Sequence, residues 1–438
     1  MSKGPQRIRG TQDIWGEEAD RFSAVVAAFE RVRRLYAFQR VDTPVFEATE
    51  VFARSIGETT DIVSKEMYTF EDRGGDSLTL RPEFTAGICR AYLSEGWQQH
   101  APMKLATHGP VFRYERPQKG RFRQFHQLDA EIIGTDSPLA DVELLVLADQ
   151  LLKELGITDG VTLQLNTLGD AETRDAWRSA LVEHFEAHRA ELSEESLARL
   201  DRNPLRILDS KAPQDRPIAD CAPGIDDFLT PEAADFFGRV TAGLDAAGVA
   251  WIRNARLVRG LDYYRHTAFE FVTDRLGAQG ALIAGGRYDG LIESLGGPPT
   301  PAVGWAAGIE RLGMMVETPI TTLELAILPV DVDHYLIGRK VVSILANEGL
   351  DVAISLSGDY DKRYKRAKRE GTLRALNVER SSNPAALAAV RLRDLNVPPP
   401  PEDDSVPIRN RLQRALENHF VIEQPDPDRG MFNLLAPK

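Results

Sequence analysis

An α+β fold is what this sequence predicts: a strand-rich domain over residues 1–320, a helical module set into it at about 170–250, and a small α/β domain over 321–396. Three observations lead there. β-type runs recur from residue 40 to beyond 300. They are interrupted by one long stretch of helix-patterned, charged sequence. Beyond residue 320 strand and helix patterns alternate, the order that builds a mainly parallel sheet.

In chain order, Phe22, Val25, Val26, Phe29, Val32 and Tyr36 recur at helical spacing and predict one long amphipathic helix. RVDTPVFE (40–47) reads as a turn into a strand, with Pro44 confined to an edge or to the strand start. LTLRPEFT (78–85) and KLATHGPVFRYERP (104–117) are strand candidates, and QFHQLDAEIIG (124–134) is the returning arm of a hairpin. Residues 138–155 have a helical pattern, and VTLQLNTLG (161–169) that of a strand. In the module, Trp177, Leu181 and Phe185 sit four apart within Glu/Arg-rich sequence. Strand character returns at LVRGLDYYRHTAFEFV (257–272) and LIAGGRYDGLI (282–292). VGWAAGIERLGMMV (303–316) is a strand entering a helix.

The last part begins with LELAILPV (323–330), a buried strand, and a helix over 334–350. DVAISL (351–356) is a strand, DYDKRYKRAKRE (359–370) a charged helix, and LAAVRLRDL (387–395) another strand. VPPPPEDDS (397–405) reads as a stiff linker, and residues 397–438 together as linker and tail.

Composition narrows the function classes. Apolar content of 42% and charged content of 27% belong to a soluble globular chain. A net charge of −13 argues against a general nucleic-acid coat and leaves room for a local basic site. Cys89 and Cys221 alone support neither a disulfide framework nor a cysteine zinc site. MSKGPQRIRG has no apolar signal core, and no run of about 18 apolar residues occurs, so a cytoplasmic protein without a membrane span is expected. The common phosphate-cradling glycine motifs are absent.

Six stretches carry candidate chemistry. In FRYERPQKGRFRQFHQLDAE (112–131), Arg113, Arg116, Lys119, Arg121, Arg123 and, when protonated, His126 fall on a hairpin. Its return arm places Phe125, Gln127, Asp129 and Glu131 on one face. Arginines facing amide and carboxylate groups suit a zwitterionic or polyphosphate ligand; a solvated hairpin with cross-strand ion pairs is the alternative. In TLRPEFT, Glu83 and Thr85 lie two apart, on one strand face, and suit an ammonium group; a salt bridge is the alternative. RGLDYY places Arg259 beside Gly260, with Tyr263 and Tyr264 on opposite faces; an ordinary turn reads the same way. AGGRYDGL sets Arg287 and Tyr288 behind two glycines, as a hairpin turn also would. In AAGIERL, Gly308 lets a flat ring pack on the backbone and Arg311 enters the first helical turn. DKRYKRAKRE, with Lys362, Arg363, Lys365 and Arg366, suits an RNA backbone or is a solvated helix face.

Taken in order, these stretches resemble the histidyl-tRNA synthetase family of class II aminoacyl-tRNA synthetases, from Arg9 to about Leu395. The hairpin is similar to class II motif 2 in its histidyl form, TPVFE with SIGETTDIVSKEMYTF to motif 1, and VGWAAGIERL to motif 3. LVRGLDYYRHTAFEF and AGGRYDGL resemble the two segments peculiar to the family. The resemblance implies an antiparallel class II sheet with an inserted module, an anticodon-binding-like α/β domain, and a homodimer joined through motif 1. It implies ATP and L-histidine as substrates, Mg²⁺ on the outer phosphates, no directly assigned metal residue, and tRNA(His) as acceptor. By resemblance Arg113 and Arg259 are catalytic at the α-phosphate, while Arg121 and Arg311 bind the outer phosphates. Glu83, Thr85 and Gln127 match the groups around the α-amino group, Glu131 and Tyr264 those reading the imidazole, and Tyr288 helps shape the pocket. Gln118 and Lys119 in the hairpin loop, with Lys362, Arg363, Lys365 and Arg366, are the implied tRNA contacts.

The chain departs from the family pattern at Gly16, where a proline is usual, and at TLRALNVERS, which replaces the usual strand after the basic helix. A non-catalytic paralogue, the regulatory subunit of ATP phosphoribosyltransferase, shares the fold. That paralogue typically lacks the C-terminal domain and parts of the arginine set, both present here.

Overall fold

The computed structural model describes residues 4–56, 62–118, 120–258, 264–277, 280–317, 324–355, 357–370, 372–395, 405–426 and 431–437. It divides into two compact units, Met1–Pro319 and Ile320–Lys438.

In the first unit, α1 (Glu17–Leu35) buries Val25, Phe29 and Val32, the predicted stripe. Strands β1 (Gln39–Arg40) and β2 (Phe46–Ala48) follow, then α2 (Thr49–Ile56), β3 (Tyr68–Glu71) and β4 (Ser77–Leu80). Helix α3 (Thr85–Ser94) precedes the hairpin β5 (Met103–Phe112) and β6 (Gln124–Ile133). Helix α4 (Pro138–Glu154) starts on a Ser137 cap, and β7 (Val161–Thr167) enters the sheet. Helices α5 (Ala171–Ala187), α6 (Glu194–Arg202), α7 (Arg216–Asp220) and α8 (Pro231–Ala247) form the helical stretch, in which Trp177, Leu181 and Phe185 are buried. Strands β8 (Trp251–Arg253), β9 (Arg265–Thr273), β10 (Ala281–Arg287) and β11 (Ala302–Gly308) complete the sheet, with α9 (Leu291–Ser294) between the last two and α10 (Ile309–Gly313) after them.

Among the described residues the main sheet runs β1-β5-β6-β11-β10-β9-β7-β8, antiparallel through its six central strands and parallel only at its short edge strands β1 and β8. Helices α1 and α4 pack on one face through Phe29, Leu144, Leu147, Leu151 and Trp305. A second core joins α3, the sheet and the helical stretch around Tyr92, Trp177 and Tyr288. Between those layers a buried Arg287–Asp141 ion pair is hydrogen-bonded further to the carbonyls of Thr135 (3.0 Å) and Ser137 (3.2 Å). A separate small sheet, β2-β4-β3, leaves Val45, Phe46 and Phe70 exposed.

LTLRPEFT is not one strand. β4 ends at Leu80, because Pro82 has no N–H to donate to a ladder. Glu83 lies beyond it, and Thr85 begins α3. Likewise β5 stops at Phe112, short of the end of the 104–117 run, so Arg113, Glu115 and Pro117 lie beyond the strand.

The second unit contains β12 (Leu325–Pro329), α11 (Val332–Asn347), β13 (Val352–Ile354), α12 (Tyr360–Arg369), β14 (Arg374–Glu379), β15 (Ala388–Asp394), α13 (Ser405–Glu417), β16 (Phe420–Asp426) and β17 (Met431–Pro437). The sheet order is β13-β12-β14-β15-β17-β16. Only β12 pairs in parallel, with β13 and β14; the other pairings are antiparallel, so the sheet is mixed rather than mainly parallel. TLRALNVERS does hold a strand, β14. Part of the segment read as linker and tail supplies α13, β16 and β17. Leu412, Leu416, Phe420, Phe432 and Leu434 from those elements complete the unit's core.

Candidate active site

A cavity of about 290 Å³ opens over the sheet, lined from β6, β10, β11, the β5–β6 loop and the start of α3. At one end, Arg113, Arg121 and Arg311 converge. Arg113 Nε donates to the Pro82 carbonyl at 2.9 Å, and its guanidinium lies 5.4 Å from the Phe125 ring centroid. Arg121 Nε forms an ion pair with Glu115 at 2.5 Å, outside good hydrogen-bond geometry. Arg311, in the first turn of α10, donates to the Ala281 carbonyl at 3.0 Å and to the Gly120 carbonyl at 3.4 Å. Gly120 permits that approach with φ +71. Burial, then the like charges of Arg121 and Arg113, hold Arg311 below the ordinary arginine range. Three like charges gathered at one place are stabilised by an anion.

The other end is built around buried carboxylates. Glu83 accepts hydrogen bonds from the backbone N–H groups of Thr85 (2.7 Å) and Ala86 (2.9 Å), so it caps α3. Burial nonetheless raises its carboxyl above the usual range. Glu131 accepts from the Thr85 hydroxyl at 2.6 Å and from the Tyr288 hydroxyl. It is 1% exposed, and burial pushes it up to about 8 against the opposing pull of those donors. Gln127 lines the cavity, and its Oε1 has no hydrogen-bond partner among the described residues.

β-register explains the floor. On β11, Gly304, Ala306 and Gly308 stand opposite Glu131, Asp129 and Gln127 of β6. A Cβ on Gly304 would lie 1.4 Å from Glu131 Oε2. Gly286 plays the same part beneath Tyr264: a Cβ there would lie 2.8 Å from its ring. Arg174 of α5 donates to the Tyr264 carbonyl at 2.7 Å, tying the helical stretch to the pocket wall.

The structure therefore brings together Glu83, Thr85, Arg113, Arg121, Gln127, Tyr264, Tyr288 and Arg311 on one cavity, with Glu131 behind Thr85 and Tyr288. Arg259 and Lys119 lie outside the described residues, as do Gly260 and Tyr263. Gln118 is exposed in the hairpin loop. On α12, Lys362 and Lys365 are exposed, whereas Arg363 donates to the carbonyls of Gly358 (2.8 Å) and Pro329 (2.6 Å) and Arg366 reaches Ser357 at 3.5 Å. Arg287 is not at the cavity; it belongs to the buried pair with Asp141.

Sequence reading missed Gly304, whose signal is the alternation of small residues in VGWAAGI. It also missed Glu310, which accepts from the His126 backbone N–H at 3.0 Å and meets His126 Nδ1 at 2.9 Å, fastening β6 to α10.

The cleft thus lies over a central antiparallel sheet and is lined by clustered arginines and by acidic side chains. Residues 10–312 match the histidyl-tRNA synthetase family model. The histidine–tRNA ligase of Novosphingobium aromaticivorans is 62% identical over 421 residues, which cover 95% of this chain and 98% of the relative. The apo histidyl-tRNA synthetase of S. aureus superposes with a TM-score of 0.73 at 32% identity, over 90% of this chain and 95% of that one. The chain belongs to the histidyl-tRNA synthetase family. A Bacillus halodurans protein described as an ATP phosphoribosyltransferase regulatory subunit/histidyl-tRNA synthetase shares the fold, with a TM-score of 0.63 at 21% identity, covering 82% of this chain and 96% of that one.

Proposed function

We propose that the chain is a histidine–tRNA ligase, which activates L-histidine with ATP and transfers it to the 3′ end of tRNA(His). One observation carries the reading. In a chain of this family, a single cavity has converging arginines at one end and a hydrogen-bonded, buried glutamate at the other. ATP phosphates take the arginine end: Arg113 with Arg259 at the α-phosphate, Arg121 and Arg311 at the outer phosphates. Histidine takes the other, its ammonium near Glu83, Thr85 and Gln127, its imidazole between Glu131 and Tyr264, with Tyr288 closing the pocket.

The chemistry follows from that placement. The histidine carboxylate attacks the α-phosphorus, and pyrophosphate leaves. Charge accumulates on the α-phosphoryl oxygens, and fixed guanidinium groups lower the barrier there without covalent participation. The terminal ribose hydroxyl of the tRNA then attacks the carbonyl carbon, and AMP leaves. A pocket whose polar groups pair with an imidazole leaves them unpaired with any other side chain, which is a strong basis for rejection.

Among the described residues no cluster of three or more His, Cys, Asp or Glu forms a metal site. Mg²⁺ carried by ATP needs only one or two carboxylates beside the phosphates, and Glu115 and Glu270 line the cavity. Bound there, the ion would share the outer-phosphate charge. A homodimer through the small sheet is supported by the exposed Val45, Phe46 and Phe70. Contact of Gln118, Lys119 and the exposed face of α12 with tRNA completes the reading. A cytoplasmic location belongs to it too, since no helix among the described residues is long and apolar enough to cross a membrane. The regulatory-subunit reading rests on fold likeness alone.

Histidine-dependent ATP–pyrophosphate exchange tests the proposal, with wild type, Arg259→Ala and the other amino acids as controls. Exchange with histidine alone, lost in the variant, supports it. Absence of exchange from folded protein overturns it.

A further inference from the structure

One buried acid has no part in the reading above. Asp129 stands on β6 between Gln127 and Glu131, with its side chain on their face. It is 1% exposed. Neither carboxyl oxygen receives a hydrogen bond from an N–H or hydroxyl among the described residues. Even Thr107, its register partner on β5, leaves its own hydroxyl unbonded there. The cation facing it is Arg81, and that guanidinium donates to the carbonyls of Pro110 (2.9 Å) and Thr43 (2.8 Å) and lies over the Phe84 ring. Glu131, two residues along the same strand face, is the buried acid beside it.

Two carboxyl groups buried side by side are stabilised by a proton shared between them. Glu131 already accepts from Thr85 and Tyr288, which favours its charged form. Asp129 has no such donors, so the proton belongs to Asp129. The remaining titratable groups around it, Glu83, Cys89 and Tyr288, are each raised by burial and add no positive charge.

We propose that Asp129 is a positioning residue of the substrate pocket: its protonated carboxyl donates to Glu131, so that the pair shares one proton and presents a single fixed charge. A third donor then holds Glu131 in place for the ligand. The pair also avoids piling a second full charge beside Glu83. Burial and the neighbouring carboxylates of Glu131 and Glu83 raise Asp129 well above its ordinary range, in keeping with this. The inference rests on reading the cavity as the histidine site; the thermal test below does not, so the two fail separately.

Asparagine imitates a protonated aspartic acid, because its N–H donates where the acid O–H did. We compare wild type, Asp129→Asn and Asp129→Ala in exchange assays and in thermal melts from pH 6 to 9. Asp129→Asn is expected to keep histidine KM within about threefold of wild type at pH 7, and Asp129→Ala to raise it about tenfold, the scale of one lost buried hydrogen bond. Toward the alkaline end of that range wild-type KM rises as the pair loses its proton, and Asp129→Asn stays flat. The sign for stability is fixed by linkage. Both folded carboxyls titrate above their unfolded values, so the folded state holds more protons between the ordinary carboxylate range and about 8. Wild-type melting temperature therefore falls as pH rises through that window, and the asparagine variant falls less. An Asp129→Asn protein that is destabilised at every pH, with KM raised as in Asp129→Ala, would show an ionised Asp129 and overturn the proposal.

Discussion

Replacing Tyr288 with phenylalanine isolates one hydrogen bond at the centre of the pocket. The hydroxyl donates to Glu131, both groups are buried, and the ring fills the core whether or not it carries oxygen. Phenylalanine keeps the shape and deletes the donor. A hydrogen bond to a charged group contributes about 1.5–3 kcal/mol, and each ~1.4 kcal/mol is tenfold in an equilibrium constant. Loss of this donor also disfavours the charged form of Glu131, which burial already raises. The expected result is a rise in histidine KM of roughly 10- to 100-fold. The KM for ATP should stay within about twofold, because the arginine end is not touched. Pyrophosphate exchange with each substrate varied in turn reads both constants, and a thermal melt checks folding. A histidine KM equal to wild type, or an equal loss for both substrates, would refute the reasoning.

Two further substitutions test the floor and the frame. Gly304→Ala places a methyl group 1.4 Å from Glu131 Oε2, so the carboxylate must move. Overpacking of about 1–3 kcal/mol predicts a 10- to 100-fold fall in kcat/KM for histidine, and an unchanged value would mean that Glu131 does not act at this position. Arg287→Met leaves Asp141 buried without its partner. A cost of about 3–5 kcal/mol predicts a melting temperature lowered by more than about 5 °C, and a smaller change would show that Asp141 is protonated instead.

How far the sequence reaches depends on what kind of fact is asked of it. Periodicity exposed α1 and α4, because each has a face that packs and a face that does not; the β5–β6 hairpin and β9–β11 were legible as β-type runs bounded by turn residues, although β6, β10 and β11 are buried on both faces. β14 was hidden because it has no such alternation: RALNVE is buried almost throughout, with Arg374 and Asn377 inside among Ala375, Leu376 and Val378. β16 and β17 were hidden because polar-flanked strands near a sheet edge owe their existence to their pairing partners. Glu83 and Thr85 stand together, but not through strand alternation. Strand alternation was the argument, and the helix N-terminus after Pro82 is what joins them.

Roles within the cavity show the same division. The arginines were legible as residue types, since a concentration of guanidinium on one hairpin is conspicuous in an acidic chain. The room for a ligand was not, because it arises from pairing two strands far apart in the sequence, Gln124–Ile133 and Ala302–Gly308. β6 offers Gln127, Asp129 and Glu131 on one face, and β11 offers Gly308, Ala306 and Gly304 directly opposite. Either strand read alone alternates unremarkably. Only their register sets each large polar side chain against a small one, and a slip of one residue would set the same polar groups against Trp305 and Ala307. The pocket is thus a property of the pairing, which is why substitutions at Gly304 and at Glu131 should fail in the same assay, with the same substrate.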